Sequence, residues 1–269
     1  RAWITGRRVL SLDPRDPYTD ASREKSHTDY TQFLEAGGLA GARIGVARES
    51  FGFHPEVDRL MEAAMQVMKE RGATLIDLEG PVTEQVGGPA FQVLLYEFKD
   101  GVNQYLAGLA PEVPIRTLAD VIKYNEEHAD TSMPYFGQEL LIQAQEKGGL
   151  DTPEYVEALA AVQRGCRENG IDKMMDGQQL DAIIAPTGSP AWPTDLLNGD
   201  HYTGGSSSPA ARAGYPNITV AMGFVHGLPV GISFFGRAWS EPGLLKLAYA
   251  YEQASRQRRP PRFLPTLEL

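Results

Sequence analysis

The sequence predicts a mixed α/β fold, and three observations carry that prediction. "RIGVA", a helix from Pro55 to about Arg71, and "ATLIDL" follow one another as strand, helix and strand. From about Phe91 to Gln178 the chain is rich in Glu, Gln, Ala and Leu and reads as helices, with no strand among them. The last third returns to short apolar runs, "DAIIAP", "NITVAMGF" and "LPVGISFFG", before one closing helix. A strand, helix, strand unit joins its strands in parallel through a right-handed crossover, whereas a hairpin joins them antiparallel. The expected architecture is therefore a mixed central sheet with flanking helices and a helical cover from about 91 to 178.

Taken in order, "HTDYTQFLE" reads as a short helix and the glycines of "AGGLAGA" as the turn that delivers the chain to the buried strand "RIGVA". In the helix from Pro55, residues Val57, Leu60, Met61, Ala64, Met65 and Met68 recur at three- and four-residue spacing, which makes one apolar stripe. Pro55 suits the first turn and Gly72 follows the last one as a C-terminal cap. Four helices are expected in the middle of the chain. "FQVLLYEFKDGVNQYLAGL" is the most regular; Thr117 with Asp120 three places on forms a loose capping box, and Thr152 precedes Pro153 and Glu154 at another helix start. "DAIIAP" is a buried strand stopped by Pro186, and Gly227 breaks the two following strands into a hairpin. "EPGLLKLAYAYEQASRQ" closes the fold as a helix, and "RRPPRFLPTLEL" reads as an extended strap. No internal repeat or low-complexity linker appears, so residues 1–269 are expected to form a single domain, with 1–11 an atypical segment at its start.

The composition narrows the function. With 42% hydrophobic and 22% charged residues, the 269-residue chain can bury a large core, which argues against disorder. A net charge of -10 with no dense cluster of Lys or Arg disfavours nucleic acid as a partner. No apolar run is long enough to span a membrane, and the first residues lack a secretory leader's apolar stretch. Cys166 is the only cysteine; it cannot form an internal disulfide, which suits a reducing, cytoplasmic location, and its place on a helix suits packing better than catalysis.

The five histidines, at 27, 54, 128, 201 and 226, show neither helical pairing nor a neighbouring cysteine pair, so no metal site is expected. Asp200, His201 and the serines at 206 to 208 supply the residue types of a Ser-His-acid triad, but no G-x-S-x-G elbow accompanies them. No dinucleotide fingerprint follows the first strand. "GGSSS" has two readings. Gly204 and Gly205 permit close backbone approach, and Ser206, Ser207 and Ser208 supply hydroxyls ahead of a helix start, which makes an anion or oxyanion cradle. Equally, Ser208 before Pro209 is the ordinary pattern of an N-cap followed by a proline at the first helical position. Spacing leaves both open.

A longer pattern bears on the choice. "LDAIIAPTGSP", "AGYPNITVAMGF", "GLPVGISFFG" and "LLKLAYAYEQA", in that order, resemble the C-terminal part of the amidase signature family. "DPRDPYT", "DYTQFLE" and "GLAGARIGVARES" are similar to the stretch that follows the signature region in those enzymes. The likeness runs from about Leu12 to Pro265. It implies hydrolysis of amide C–N bonds on a mixed α/β sheet, with no cofactor and a small-molecule amide or ester as substrate. It also implies a Ser, cis-Ser, Lys triad lying upstream of the matched region, in which a desolvated Lys draws a proton from the nucleophile through the bridging Ser. On that reading the chain holds the pocket-shaping part and is weak or inactive alone. The resemblance places the loop of Gly204, Gly205, Ser206, Ser207 and Ser208 at the substrate pocket, and Thr187, at the end of "APT", is a candidate beside it. Trp192, Asp195, Asn198 and Tyr202, in the loop "PAWPTDLLNGDHY", are candidates for shaping it, or are residues of an ordered surface loop. Two alternatives remain: a promiscuous serine esterase or amidase using Ser206, Ser207 or Ser208 as nucleophile, and a non-catalytic protein that binds or complements another polypeptide. An unpaired sheet edge leads us to expect a homo-oligomer.

Overall fold

The computed structural model describes residues 12–14 and 16–263. The strands are β1 (Arg43–Val46), β2 (Thr74–Asp77), β3 (Ala182–Pro186), β4 (Asn217–Val225) and β5 (Leu228–Phe235). The helices are α1 (Pro55–Glu70), α2 (Gly87–Ala107), α3 (Leu118–Glu127), α4 (Ala129–Ser132), α5 (Glu139–Gln145), α6 (Pro153–Cys166), α7 (Asp172–Gln178), α8 (Ser207–Ala213) and α9 (Glu241–Ser255). Contacts divide the chain into two compact units: the first contains 1–84, 166–195 and 199–269, the second 85–165 and 196–198. The atypical segment 1–11 and the end of the C-terminal strap, 264–269, lie outside the described residues.

The first unit holds a five-stranded mixed sheet in the order β2-β1-β3-β5-β4. β1 pairs in parallel with both β2 and β3, while β5 runs antiparallel to β3 and β4. The β4–β5 hairpin turns at His226 and Gly227, whose φ angles of 47° and 79° are the positive pair that a two-residue hairpin turn needs. One face of the sheet carries the core. Ile44, Val46, Ile184, Val220, Ile232 and Phe234 pack there with Val57, Met61, Met65 and Met68 of α1 and Leu244, Leu247, Ala248 and Tyr251 of α9. The stripe read from spacing in α1 is thus the core stripe, with Leu60 half-buried at its margin. Ile232 and Phe234 point into that core, so the pleat turns Gly231 and Ser233 to the opposite face.

The second unit is helical. α2, α3 and α5 bury Leu95, Leu118 and Ala144 together, and the Thr117–Asp120 capping box is formed in both directions. Six α-helical segments and one π turn cover Gly87 to Gln178, where four helices were expected. The difference has local causes. The last predicted helix is broken at Arg167–Ile171 by Gly170, whose φ of -112° and ψ of -114° are not helical, and His128, with ψ of 31°, separates α3 from α4. "DYTQFLE" folds as a 3-10 turn, Tyr30–Phe33, capped by the Asp29 side chain.

Candidate active-site loop

β3 ends at Pro186, but the chain keeps its extended course. The Thr187 amide donates to the Gly231 carbonyl at 2.9 Å, and Gly188 and Gly205 form an antiparallel bridge. The Ser189 amide donates to Gly204 and the Ser206 amide to Thr187, both at 3.3 Å. "TGS" and "GGS" are thus two short rungs laid side by side; this pairing contributes to the tight packing at Gly205, while Gly204 is crowded by Phe53. A Cβ on Gly204 would lie 2.6–3.0 Å from the side chain of Phe53; one on Gly205 would lie 2.8 Å from the Tyr202 hydroxyl and 3.0 Å from the Thr187 carbonyl.

The three serines occupy different environments. Ser206 is 2% exposed, and its Oγ donates to the Pro186 carbonyl at 2.8 Å, so its proton is already committed. Ser207 and Ser208 are exposed on the first turn of α8. Neither makes a side-chain hydrogen bond to a lysine or histidine among the described residues. The N-cap is Ser206, two residues before the Ser208 expected from the proline pattern, so that Pro209 stands at the third helical position, where a missing N–H also costs no intrahelical bond. α8 ends at Gly214, whose φ of 68° is a left-handed cap. Beyond it, the Tyr215 hydroxyl donates to Asp172 at 2.7 Å, and Arg237 pairs with Asp172 and Asp176. Burial, then the Asp172 acceptor, pushes the Tyr215 phenol up to about 12. This network, with Arg167 Nε donating to the Ala213 carbonyl, anchors the far end of the loop and helix.

In the proline-rich loop, Trp192 Nε1 donates to Asp200 at 3.3 Å, and the Trp192 and Tyr202 rings meet edge to face at 6.2 Å. The Gly199 amide donates to the Asp195 carbonyl at 3.0 Å and closes a turn in which Gly199 has a φ of 80°. Asn198 groups with the second unit. Two further residues join this neighbourhood. On the sheet face away from α1 and α9, Thr187 Oγ1 lies 2.9 Å from Ser233 Oγ and 3.3 Å from Thr219 Oγ1, and the last two oxygens are also 3.3 Å apart. Thr219 and Ser233 escaped the sequence reading. Their signal was a lone polar residue between apolar neighbours, Thr219 between Ile218 and Val220 and Ser233 between Ile232 and Phe234. Among the described residues no group of three His, Cys, Asp or Glu could hold a metal ion. No helix among them is long and apolar enough to cross a membrane.

A sequence model of the family described as Amidase matches residues 5–245. The chain belongs to the amidase family. This amidase chain is 35% identical over 264 residues to a probable amidase of Arabidopsis thaliana, a match covering 95% of the chain and 46% of that relative. It is 32% identical over 266 residues to one of the subunits of the Myxococcus xanthus glutamyl-tRNA(Gln) amidotransferase, covering 91% and 51%. Among solved structures it is similar to a peptide amidase in complex with the competitive inhibitor chymostatin, with a TM-score of 0.88 and 41% identity over 94% of the chain and 51% of the other. The native peptide amidase of Stenotrophomonas maltophilia gives 0.84 and 39%, with the same coverage. The chain spans about half the length of the relatives it matches.

Proposed function

We propose that this chain is the pocket-shaping half of an amide C–N hydrolase and that, alone, it turns over amides at or near background. The observation that carries the reading is the state of the loop serines. Serine attack on an amide carbonyl needs a base to take the hydroxyl proton and backbone N–H groups to hold the developing oxyanion, after which water releases the acyl group. Here the Ser206 hydroxyl donates its hydrogen bond to a carbonyl, and Ser207 and Ser208 hydrogen-bond to no base among the described residues. The reading requires no cofactor. The names of the relatives point to peptide and other small amides as the substrate class. The single thiol, on buried Cys166, suits a reducing compartment such as the cytoplasm.

The second unit supports the proposal that a segment equivalent to the half of the relatives that the chain does not match completes the enzyme. Phe91, Leu94, Phe98 and Tyr105 recur along one side of α2, and all four are exposed. Such a stripe on a surface helix calls for a partner, and the half of the relatives that the chain does not match is the occupant we assign to it. Left uncovered, this stripe and the open edges of the sheet favour self-association, which is our reason for proposing a homo-oligomer of the isolated chain. The test mixes the purified chain with a separately produced polypeptide equivalent to the unmatched half of the Stenotrophomonas maltophilia peptide amidase. Amide hydrolysis that appears only in the mixture supports the proposal. Turnover by the chain alone, abolished by mutating one of its own serines, would overturn it.

A further inference from the structure

We infer that the three hydroxyls of Thr187, Thr219 and Ser233 form a binding subsite for the N–H groups of a neutral carboxamide, an inference that rests on the amide-hydrolase reading above. A hydroxyl has one proton to donate and two lone pairs to accept with. Thr187 Oγ1 donates to Thr219 Oγ1. With that proton placed, the other two contacts close only if Ser233 donates to Thr187 and Thr219 donates to Ser233. All three protons then circulate inside the ring, and each oxygen keeps one free lone pair.

Burial decides which lone pairs a ligand can reach. Ser233 is 1% exposed and acts as the fixed base of the ring, whereas Thr187 is half-buried and Thr219 exposed. The accessible surface is therefore two acceptors and no donor. A carboxamide –NH2 carries two N–H donors and fits such a surface; a carboxylate offers only acceptors, and the chain's net charge of -10 repels it further. An ammonium finds no carboxylate within the ring to balance it. Glycine at 231 keeps the ring closed, since a Cβ there would meet Thr219 Cγ2 at 2.5 Å and Thr187 Oγ1 at 3.0 Å. Through the Ser206 amide and the Gly188–Gly205 bridge, the backbone at Thr187 ties the ring to the glycine loop, where the Tyr202 hydroxyl also lies. Ser233 is a positioning residue, and Thr187 and Thr219 are the contact groups.

The test uses the full chain with 13C-labelled threonine methyls, titrated with benzamide, with acetophenone, which keeps the ring and carbonyl but has no N–H, and with benzylammonium. Benzamide is expected to shift the Thr187 and Thr219 methyl signals saturably and to bind more tightly than either comparison probe. Thr219→Val, an isosteric change on an exposed edge-strand position, and Ser233→Ala are each expected to weaken benzamide by about three- to tenfold, the worth of one hydrogen bond. The same changes should leave acetophenone binding and the circular dichroism spectrum unmoved, which a merely structural role would not predict. Equal affinity for acetophenone and benzamide, tighter binding of benzylammonium, or unchanged benzamide affinity in both variants would overturn the inference. The binding readout needs no turnover. Absence of hydrolysis in the two-part mixture would remove the hydrolytic reading without touching this result, and hydrolysis with a KM unmoved by Thr219→Val would do the reverse.

Discussion

Ser206→Ala separates a structural serine from a catalytic one. The side chain is 2% exposed and makes one hydrogen bond, Oγ to the Pro186 carbonyl at 2.8 Å. Losing it removes about 0.5–1.5 kcal/mol of net bonding and leaves a buried acceptor with one partner fewer, so the expected destabilisation is about 1–2 kcal/mol. For a chain of this size that lowers the melting temperature by about 2–8 °C. Ser207→Ala is the control. Its hydroxyl is exposed and makes no capping bond, so the expected change is within about 0.5 kcal/mol. Thermal unfolding followed by circular dichroism and hydrolysis of p-nitrophenyl acetate are measured on both variants in parallel. A Ser206→Ala protein that melts like the parent but loses ester hydrolysis would refute the structural assignment, as would a Ser207→Ala protein destabilised as much as Ser206→Ala.

Gly204→Ala should destabilise the chain by about 1–3 kcal/mol, because its new Cβ would sit 2.6 Å from Phe53 Cδ1. Phe53→Leu in the same chain should recover part of that loss in denaturant titrations. Cys166 is fully buried, and burial pushes its thiol up against the opposing pull of Arg212. A disulfide reagent such as Ellman's should react slowly with the folded chain and rapidly in urea; rapid native reaction would contradict the packing. Tyr215 and Tyr251 are both pushed up to about 12, chiefly by burial. Their phenols are raised from an ordinary value of 10.0. The stability they contribute is therefore complete below that value and is lost as the pH rises through the folded one. Absorbance at 295 nm should show two phenols ionising only near pH 12 or with unfolding, and Tyr215→Phe should remove one of them.

Local signals carried the fold, and nonlocal pairing did not. The α1 stripe, the Thr117–Asp120 box and the hairpin break at Gly227 were legible because each is written within a few residues, where helical period, capping chemistry and positive φ act. That β3 joins β1 in parallel was not, since the two strands lie more than 130 positions apart and no residue in either encodes its partner. The glycines at 204 and 205 were recognised as demanding close approach, but what approaches Gly204 is Phe53, about 150 residues away. The hydroxyl ring follows the same rule. Thr219 and Ser233 lie on β4 and β5 and Thr187 just past the end of β3, and only the sheet order places them side by side.

The most direct test of the central claim is the stoichiometry with which a fluorophosphonate labels the purified chain, followed by peptide mapping. With no base bonded to Ser206, Ser207 or Ser208 among the described residues, the account predicts no stoichiometric adduct. One equivalent of label on Ser206, Ser207 or Ser208 would contradict it.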